Sequence, residues 1–499
     1  MTSEVGTRPR NGVAAPGMGL RTLIVGAGAA GKALARDLQR VEDFGLSPVG
    51  FLDDDKRKRR VRHLPVLGRL SDLVNVATAE RIDVVVLAIP GLPEAEVARL
   101  ATAAARVGAS VRRLPSFVAL LRRDVVGTDM CSLDVAKLIG RSELHVASPE
   151  VAEIITGKTV LVTGAGGSIG SELCRQVNGF APSRLVMLDH DESNLHRLQL
   201  ELRGEAFLDS HDAVVADIRD ADRMHQIMEH YRPHVVFHAA ALKHLPMLEQ
   251  HPCEGVKSNV QGTQNVLAAA VASGAERLVA ISTDKAADPT SVLGATKLLA
   301  EQIVQKHAGG RTVVSAVRFG NVLGSRGSLL PVLVAQMAAG RDVTVTHPDV
   351  TRYFMTIEEA VGLVLEAARL TTGSETFVLD MGSPVRIVDL VANFARQLDV
   401  RDVNIRFTGL RPGEKLHEAL FSDNEECFPT SHPRIFAARA VPLHEDFDDL
   451  MLSLYDAAHR NAVAEVRRAL SAALPAYCPE PEPVAALQAV TAAPYPDDY

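Results

Sequence analysis

Apolar residues fall into two patterns along this chain. Short, nearly unbroken runs bounded by Gly, Asp or Pro read as buried strands; between them apolar positions return every three or four residues, as on one helix face. Strand-like runs cover Arg21–Val25, Pro48–Leu52, Asp83–Ile89 and Ser110–Leu114. A second series covers Thr159–Thr163, Arg184–Leu188, Ala213–Ala216, His234–Phe237, Arg277–Ile281 and Thr312–Val317. Strands alternating with helices in this way predict an α/β chain with two doubly wound parallel sheets.

Each series opens on a glycine turn between its first strand and first helix. The first is GAGAAG, with Gly26, Gly28 and Gly31, and Asp53 closes the next strand. The second is GAGGSIG, with Gly164, Gly167, Ser168, Ile169 and Gly170, and Asp189 closes the strand after it. Such a turn lets a dinucleotide's phosphates approach backbone N–H groups at the positive end of a helix. A carboxylate at Asp189 accepts the adenosine 2′-hydroxyl and repels a 2′-phosphate, so NAD is expected there rather than NADP. Asp217 and Ile218 suit a contact with adenine, and the small residues Ala239, Ala240 and Ala241, with Lys243, let a cofactor lie along the sheet edge. The first turn carries less of this pattern, so Gly26, Gly28, Gly31 and Asp53 are candidates for a second nucleotide site or a fold that keeps only the turn. Gly166–Gly170 also reads G-x-S-x-G, the spacing of a hydrolase nucleophile elbow, but Gly164 and Asp189 are better explained by a dinucleotide.

Chemistry concentrates in Ile281–Lys297, ISTDKAADPTSVLGATK. Ser282, Thr283, Asp284 and Lys285 fall at the carboxyl end of a strand, where open α/β sheets bind ligands. A helix is expected from about Thr290, placing Leu293 and Lys297 on one face. Downstream, RFGNVLGSRGS (Arg318–Ser328) is suited to a diphosphate and its ribose, and LRPGEKLHE (Leu410–Glu418) forms a rigid turn presenting Arg411, Glu414 and Lys415. Arg352 stands between them, before an amphipathic helix.

Composition narrows the classes. The chain has 499 residues, 47% of them hydrophobic, and a formal net charge of −8, which gives no reason to expect nucleic-acid binding. Five cysteines without a C-x-x-C pair point to neither a disulfide framework nor a zinc site, and a reduced cytoplasm fits best. His238 and His244 flank the sheet edge, a structural or cofactor-side placement rather than a metal site. No apolar run reaches the ~18 residues needed to span a bilayer, so no integral membrane segment is expected. The basic run KRKRRVR, Lys56–Arg62, suits either an anionic lipid surface or phosphates, or a solvated loop balancing the aspartates before it, the plainer reading. Residues 1–19 and 475–499 read as disordered tails, 20–125 as a first domain, 126–156 as a connector and 157–474 as a larger domain.

GAGGSIGSEL, AAALKH, STDKAADPTSVLGATK, RFGNVLGSRGS and RPGEKL together resemble the nucleotide-sugar 4,6-dehydratases of bacterial polysaccharide synthesis, extended short-chain dehydrogenases, over about residues 157–440. The first domain, with GAGAAG and GFLDDD, is similar to the extra Rossmann-like domain of the long, membrane-bound members, whose transmembrane helices have no counterpart here. The resemblance implies bound NAD, a UDP-sugar substrate (commonly UDP-N-acetylglucosamine), a small substrate-binding lobe, a 4-keto-6-deoxy product and a homo-oligomer, dimer or larger. It implies Lys285 as the base at C5, Asp284 as the acid at the 6-hydroxyl, Thr283 at the 4-oxygen and Lys297 at the nicotinamide ribose. It places substrate near Asn321, Ser325, Arg326, Arg352, Arg411 and Glu414. The positive field of Lys297 and the cofactor is expected to help Lys285 shed its proton. One residue departs from the wider class: Leu293 stands where most short-chain dehydrogenases have a tyrosine base. Some of the long dehydratases have Met there, and the first proton then leaves through water or Asp284. Two rivals remain, an epimerase on the same fold and a non-catalytic nucleotide-binding regulator.

Overall fold

In the computed structural model the described residues are 20–113 and 148–477, apart from short breaks at 41–45, 56, 58, 90–93, 205–209, 308, 326–328, 339–340, 399–402, 423–424 and 440–441. They fall into two compact units that divide near residue 125. Arg326, both expected terminal tails up to 19 and from 478, and the connector before Ser148 lie outside the described residues.

The first unit is a six-stranded sheet built from β1 (Leu20–Val25), β2 (Leu46–Leu52), β3 (Arg60–Val61), β4 (Leu64–Gly68), β5 (Val84–Leu87) and β6 (Ser110–Arg113), in the order β3-β4-β2-β1-β5-β6. All neighbours are parallel except β3 with β4. The basic run is thus only partly loop, because Arg60 and Val61 pair with Pro65 and Leu64. Helices Ala29–Arg40, Leu73–Ala79 and Glu94–Ala105 complete the unit. Leu23, Val25, Val85 and Leu87 are fully or almost fully buried, as expected of strands covered on both faces.

The second unit carries β7 (Thr159–Thr163), β8 (Arg184–Asp189), β9 (Ala213–Val215), β10 (Val235–His238), β11 (Arg277–Ile281) and β12 (Val313–Arg318). Its nine-stranded sheet runs β9-β8-β7-β10-β11-β12, then Ser374–Leu379, Ile435–Ala438 and Cys427–Pro429. The first seven strands are parallel and the last two antiparallel. The order reverses between β7 and β10, so a crevice opens at their carboxyl ends, where doubly wound sheets take a ligand. Short two-stranded pairs, Asn321–Leu323 with Phe354–Thr356, Val343–Val345 with Ile405–Phe407 and Thr351–Arg352 with Val385–Arg386, lie outside the large sheet.

Two ends of this unit differ from the sequence reading. Val151 and Ile155, expected in a connector, are fully buried in the core beside Val160 and Leu173, and the Ser148 amide donates to Glu366. Tyr477, expected in a tail, is only 2% exposed. It packs with a helical hairpin, Phe447–His459 and Val463–Ala473, whose Phe447, Met451, Leu454, Val466 and Leu470 share one core with Val256, Val260 and Val292. Among the described residues no helix is long and apolar enough to cross a membrane.

Candidate functional site

After β7 the chain turns through Gly164, whose φ of +67° lies in the left-handed region. A Cβ there would lie 2.6 Å from the Ala240 amide nitrogen, and one on Gly170 would lie 2.0 Å from the Gly164 carbonyl oxygen. The turn therefore needs glycine at both positions to press the Ser168–Gly179 helix onto β7 and β10. That helix has Gly167 at its N-cap with no side-chain cap and no acidic residue in its first turn, so its positive end suits an anion. Asp189 Oδ2 accepts from the Gly166 amide at 2.8 Å and Oδ1 from the Asp191 amide at 2.9 Å. Its carboxylate is thus fixed beside the turn. Helix start, glycine cradle and acid together fit a dinucleotide with a free ribose diol.

The first unit repeats this device. Gly26 has φ +102°, a Cβ on Gly31 would lie 1.9 Å from the Gly26 oxygen, and Gly28 faces open space. Asp53 Oδ2 accepts from Ala27 at 2.7 Å and Oδ1 from Asp55 at 2.9 Å.

Other residues expected around the cofactor fall in several places. Ala239 and Ala240 follow β10 at the crevice, the Ala239 amide bonded to the Thr163 oxygen at 3.1 Å, while Ala241 and Lys243 are exposed further along. Asp217 is held by Arg219, and Ile218 packs its side chain into the core against Gly262 instead of lining the edge. His238 is buried: Thr163 Oγ1 lies 2.7 Å from Nδ1 and Thr263 Oγ1 3.0 Å from Nε2. Because Thr263 gives its own proton to the Asn259 oxygen, it accepts from Nε2–H, and Nδ1 accepts from Thr163. Burial, with Lys297 adding to it, pushes His238 down to about 3, so the ring is neutral and structural.

At the end of β11 the Ser282 and Asp284 amides bond to the Val317 and Phe319 carbonyls of the neighbouring strand, at 2.7 and 3.0 Å. This anchors Thr283, Asp284 and Lys285 at the crevice. Asp284 is fully buried; its Oδ1 accepts from Thr283 Oγ1 and from the Lys285 amine, each at 2.9 Å. Asn321 Oδ1 lies 3.3 Å and Glu418 Oε1 3.5 Å from the same amine. Burial alone would lower the Lys285 pKa, but Asp284 and Glu418 outweigh it and raise it. This reverses the expectation that Lys285 is helped to lose its proton, because two carboxylates rather than a cation are its nearest charged neighbours.

The helix expected from Thr290 runs Val292–Lys306, capped by Ser291 Oγ accepting from the Gly294 amide at 3.1 Å. Its start is also held by Glu249, whose Oε1 accepts from the Val292 amide at 2.7 Å and whose Oε2 pairs with Arg467 at 3.2 Å. Leu293 is buried in the core. Lys297 reaches back to the Ile281 oxygen at 2.5 Å, and burial lowers its pKa to about 8 against the opposing pull of Glu301 one turn on.

Three residues expected on a ligand have partners within the protein instead. Arg318, expected toward a diphosphate, is fully buried between Glu301 (2.6 Å) and Glu425 (2.7 Å), and Ser282 Oγ, expected on the cofactor, donates to Glu301. Glu414, expected on substrate, accepts instead from Arg352 at 2.8 Å, Thr346 at 3.1 Å and the Arg411 amide at 3.3 Å. The turn that carries it lies on the Lys285 loop, through Lys415 to the Ala287 oxygen at 2.7 Å and Thr290 to the Gly413 oxygen at 3.1 Å. Arg411 is exposed, and Ser325 donates to the Val322 oxygen at 3.0 Å. Glu418, Glu301 and Glu425 were not singled out from the sequence. The only signal for Glu418 was its place at the end of a charged turn.

A sheet with its cradle at the β7/β10 crossing, an acid closing β8 and Thr-Asp-Lys at the end of β11 before a helical lysine defines an extended short-chain dehydrogenase/reductase. Residues 160–440 match the polysaccharide biosynthesis protein family, and residues 10–115 match a CoA-binding domain family. The chain is 42% identical over 462 residues to the probable polysaccharide biosynthesis protein EpsC of Bacillus subtilis, covering 91% of this chain and 76% of that protein. It is 32% identical over 278 residues to UDP-N-acetylglucosamine 4,6-dehydratase (inverting) of Campylobacter jejuni, covering 54% of this chain and 80% of that one. The X-ray structure of Pen from Bacillus thuringiensis aligns with TM-score 0.53 at 33% identity, covering 57% of this chain and 89% of that one. The chain belongs to the polysaccharide biosynthesis protein family, and its relatives include nucleotide-sugar dehydratases and epimerases.

Proposed function

We propose that this protein removes water from a UDP-sugar, UDP-N-acetylglucosamine first among candidates, to give a UDP-4-keto-6-deoxy sugar, with NAD held over the second glycine turn. When bound, the dinucleotide would supply the acceptor for hydride from C4 and return that hydride at C6. The chain's own residues do the proton work. Thr283 holds the 4-oxygen, Lys297 holds the nicotinamide ribose, and a water oriented by Asp284 carries the 4-hydroxyl proton to solvent, since Leu293 has no group that can and the Asp284 carboxylate is kept to receive the Lys285 proton. The 4-ketone then acidifies C5–H, and a modest base suffices.

The observation that carries this reading is the Asp284–Lys285 hydrogen bond of 2.9 Å. Moving one proton across it turns carboxylate and ammonium into acid and amine, the two forms an elimination needs: Lys285 takes the C5 proton and Asp284 protonates the departing 6-hydroxyl. The test is mass spectrometry of the purified protein with a panel of UDP-sugars in heavy water. The reading expects a product lighter by one water, carrying deuterium at C5, and no uptake by Lys285→Ala.

The second reading is a nucleotide-sugar epimerase, because relatives of the chain also carry that name. A product of unchanged mass in ordinary water would favour it.

A further inference from the structure

Lys285 is ringed by acceptors. Its ammonium has three donors, and three acceptors surround it: Asp284 at 2.9 Å, Asn321 at 3.3 Å and Glu418 at 3.5 Å. Asp284 comes from the same short turn. Glu418 is brought from the far end of the charged turn, with its side chain only 3% exposed. A carboxylate taken so far out of water is costly unless a cation or donors answer it. Its Oε2 is buried and has no partner among the described residues, so what answers it acts through Oε1.

Two cations are near Oε1. Arg352 Nε stands at 3.9 Å, but that guanidinium is already occupied by Glu414 at 2.8 Å and by the Thr351 and Leu416 carbonyls at 2.7 and 3.2 Å. The Lys285 amine is closer. The Lys415 amine is turned to the Ala287 oxygen. The charged groups facing Lys285 are therefore Asp284 from its own turn, Glu418 and Lys415 from the charged turn and Arg352 from the Thr351–Arg352 strand, with the two cations opposing the two carboxylates.

We propose that Glu418 is a positioning residue for Lys285: it aims the amine and sets the pH at which that amine becomes free base. This deepens the reading of Lys285 as the C5 base and rests on it. With Glu418 in place the amine remains protonated until the pair with Asp284 is rearranged. Taking away the charge of Glu418 leaves burial and Arg352 less opposed, so the amine loses its proton at lower pH.

The test uses the full chain and trace acetic anhydride, reading acetylation of Lys285 by mass spectrometry across pH in wild type, Glu418→Gln and Glu418→Asp. One carboxylate removed from within 4 Å is expected to lower the labelling midpoint by about one pH unit or more in Glu418→Gln. Glu418→Asp, which keeps the charge at greater distance, should fall between that variant and wild type, and serves alone if the glutamine variant does not fold. A midpoint unchanged or raised in a folded variant overturns the proposal. Deuterium exchange at C5 of UDP-sugars separates the two readings. A shifted midpoint without C5 exchange in wild type keeps the role of Glu418 and removes the dehydratase. Exchange with an unshifted midpoint does the reverse.

Discussion

A Cβ on Gly294 would stand 2.2 Å from the carbonyl oxygen of Lys285. The first turn of the helix that bears Lys297 is thus pressed onto the backbone of Lys285, and no side chain fits between. Gly294→Ala must push helix and turn apart. We expect a loss of about 1–3 kcal/mol in urea unfolding and at least about a tenfold fall in turnover. Gly179→Ala, where a Cβ meets nothing within 4 Å, is the control and should be neutral or mildly stabilising.

Arg318 is fully buried with a carboxylate on each side, and those anions depend on it. Burial alone would lower its pKa, but Glu301 and Glu425 raise it. Arg318→Met should cost about 3–5 kcal/mol, because it strands two buried charges. Adding Glu301→Gln and Glu425→Gln should recover a large part of that loss, which a urea titration of the three variants would show.

Lys297 holds its charge only below about 8. If the ammonium positions the ribose, turnover falls as pH rises through that value, and Lys297→Arg moves the falling limb upward. The stability effect has its own sign. The unfolded lysine binds a proton up to its ordinary 10.5 while the folded one has lost it, so this group adds stability between about 8 and 10.5 as pH rises. A pH–rate profile and melting curves over that range check both.

Asp189 is fixed by the Gly166 and Asp191 amides, and in the proposed NAD site it would repel a 2′-phosphate as a like charge. Asp189→Ser should shift the NADP-to-NAD affinity ratio by on the order of tenfold toward NADP, measured by calorimetry.

The sheets were legible because a strand covered on both faces must be written as an apolar run. VLVT before Gly164 and LVAI before Ser282 leave little choice, and the glycine turns mark where each domain starts. The placement of Thr283–Lys285 at the end of β11 was legible for a similar local reason: strand end, breaker and helix lie within a few residues. What escaped was pairing across distance. Glu418 stands 133 positions from Lys285 and Glu425 stands 107 from Arg318, and no periodicity records such a meeting. Arg318 was misread because a Gly- and Ser-rich segment looks like surface, while its first residue ends β12 inside the sheet. Tyr477 was assigned to a tail because Pro and Ala are common around it, although its ring is core.

Glu249 grips the amide that starts the Lys297 helix with one oxygen and, with the other, Arg467 of the Val463–Ala473 helix. That helix is therefore a strut under the candidate site. Proteolysis between His459 and Val463 would leave every reacting side chain in the molecule and still loosen the floor they stand on.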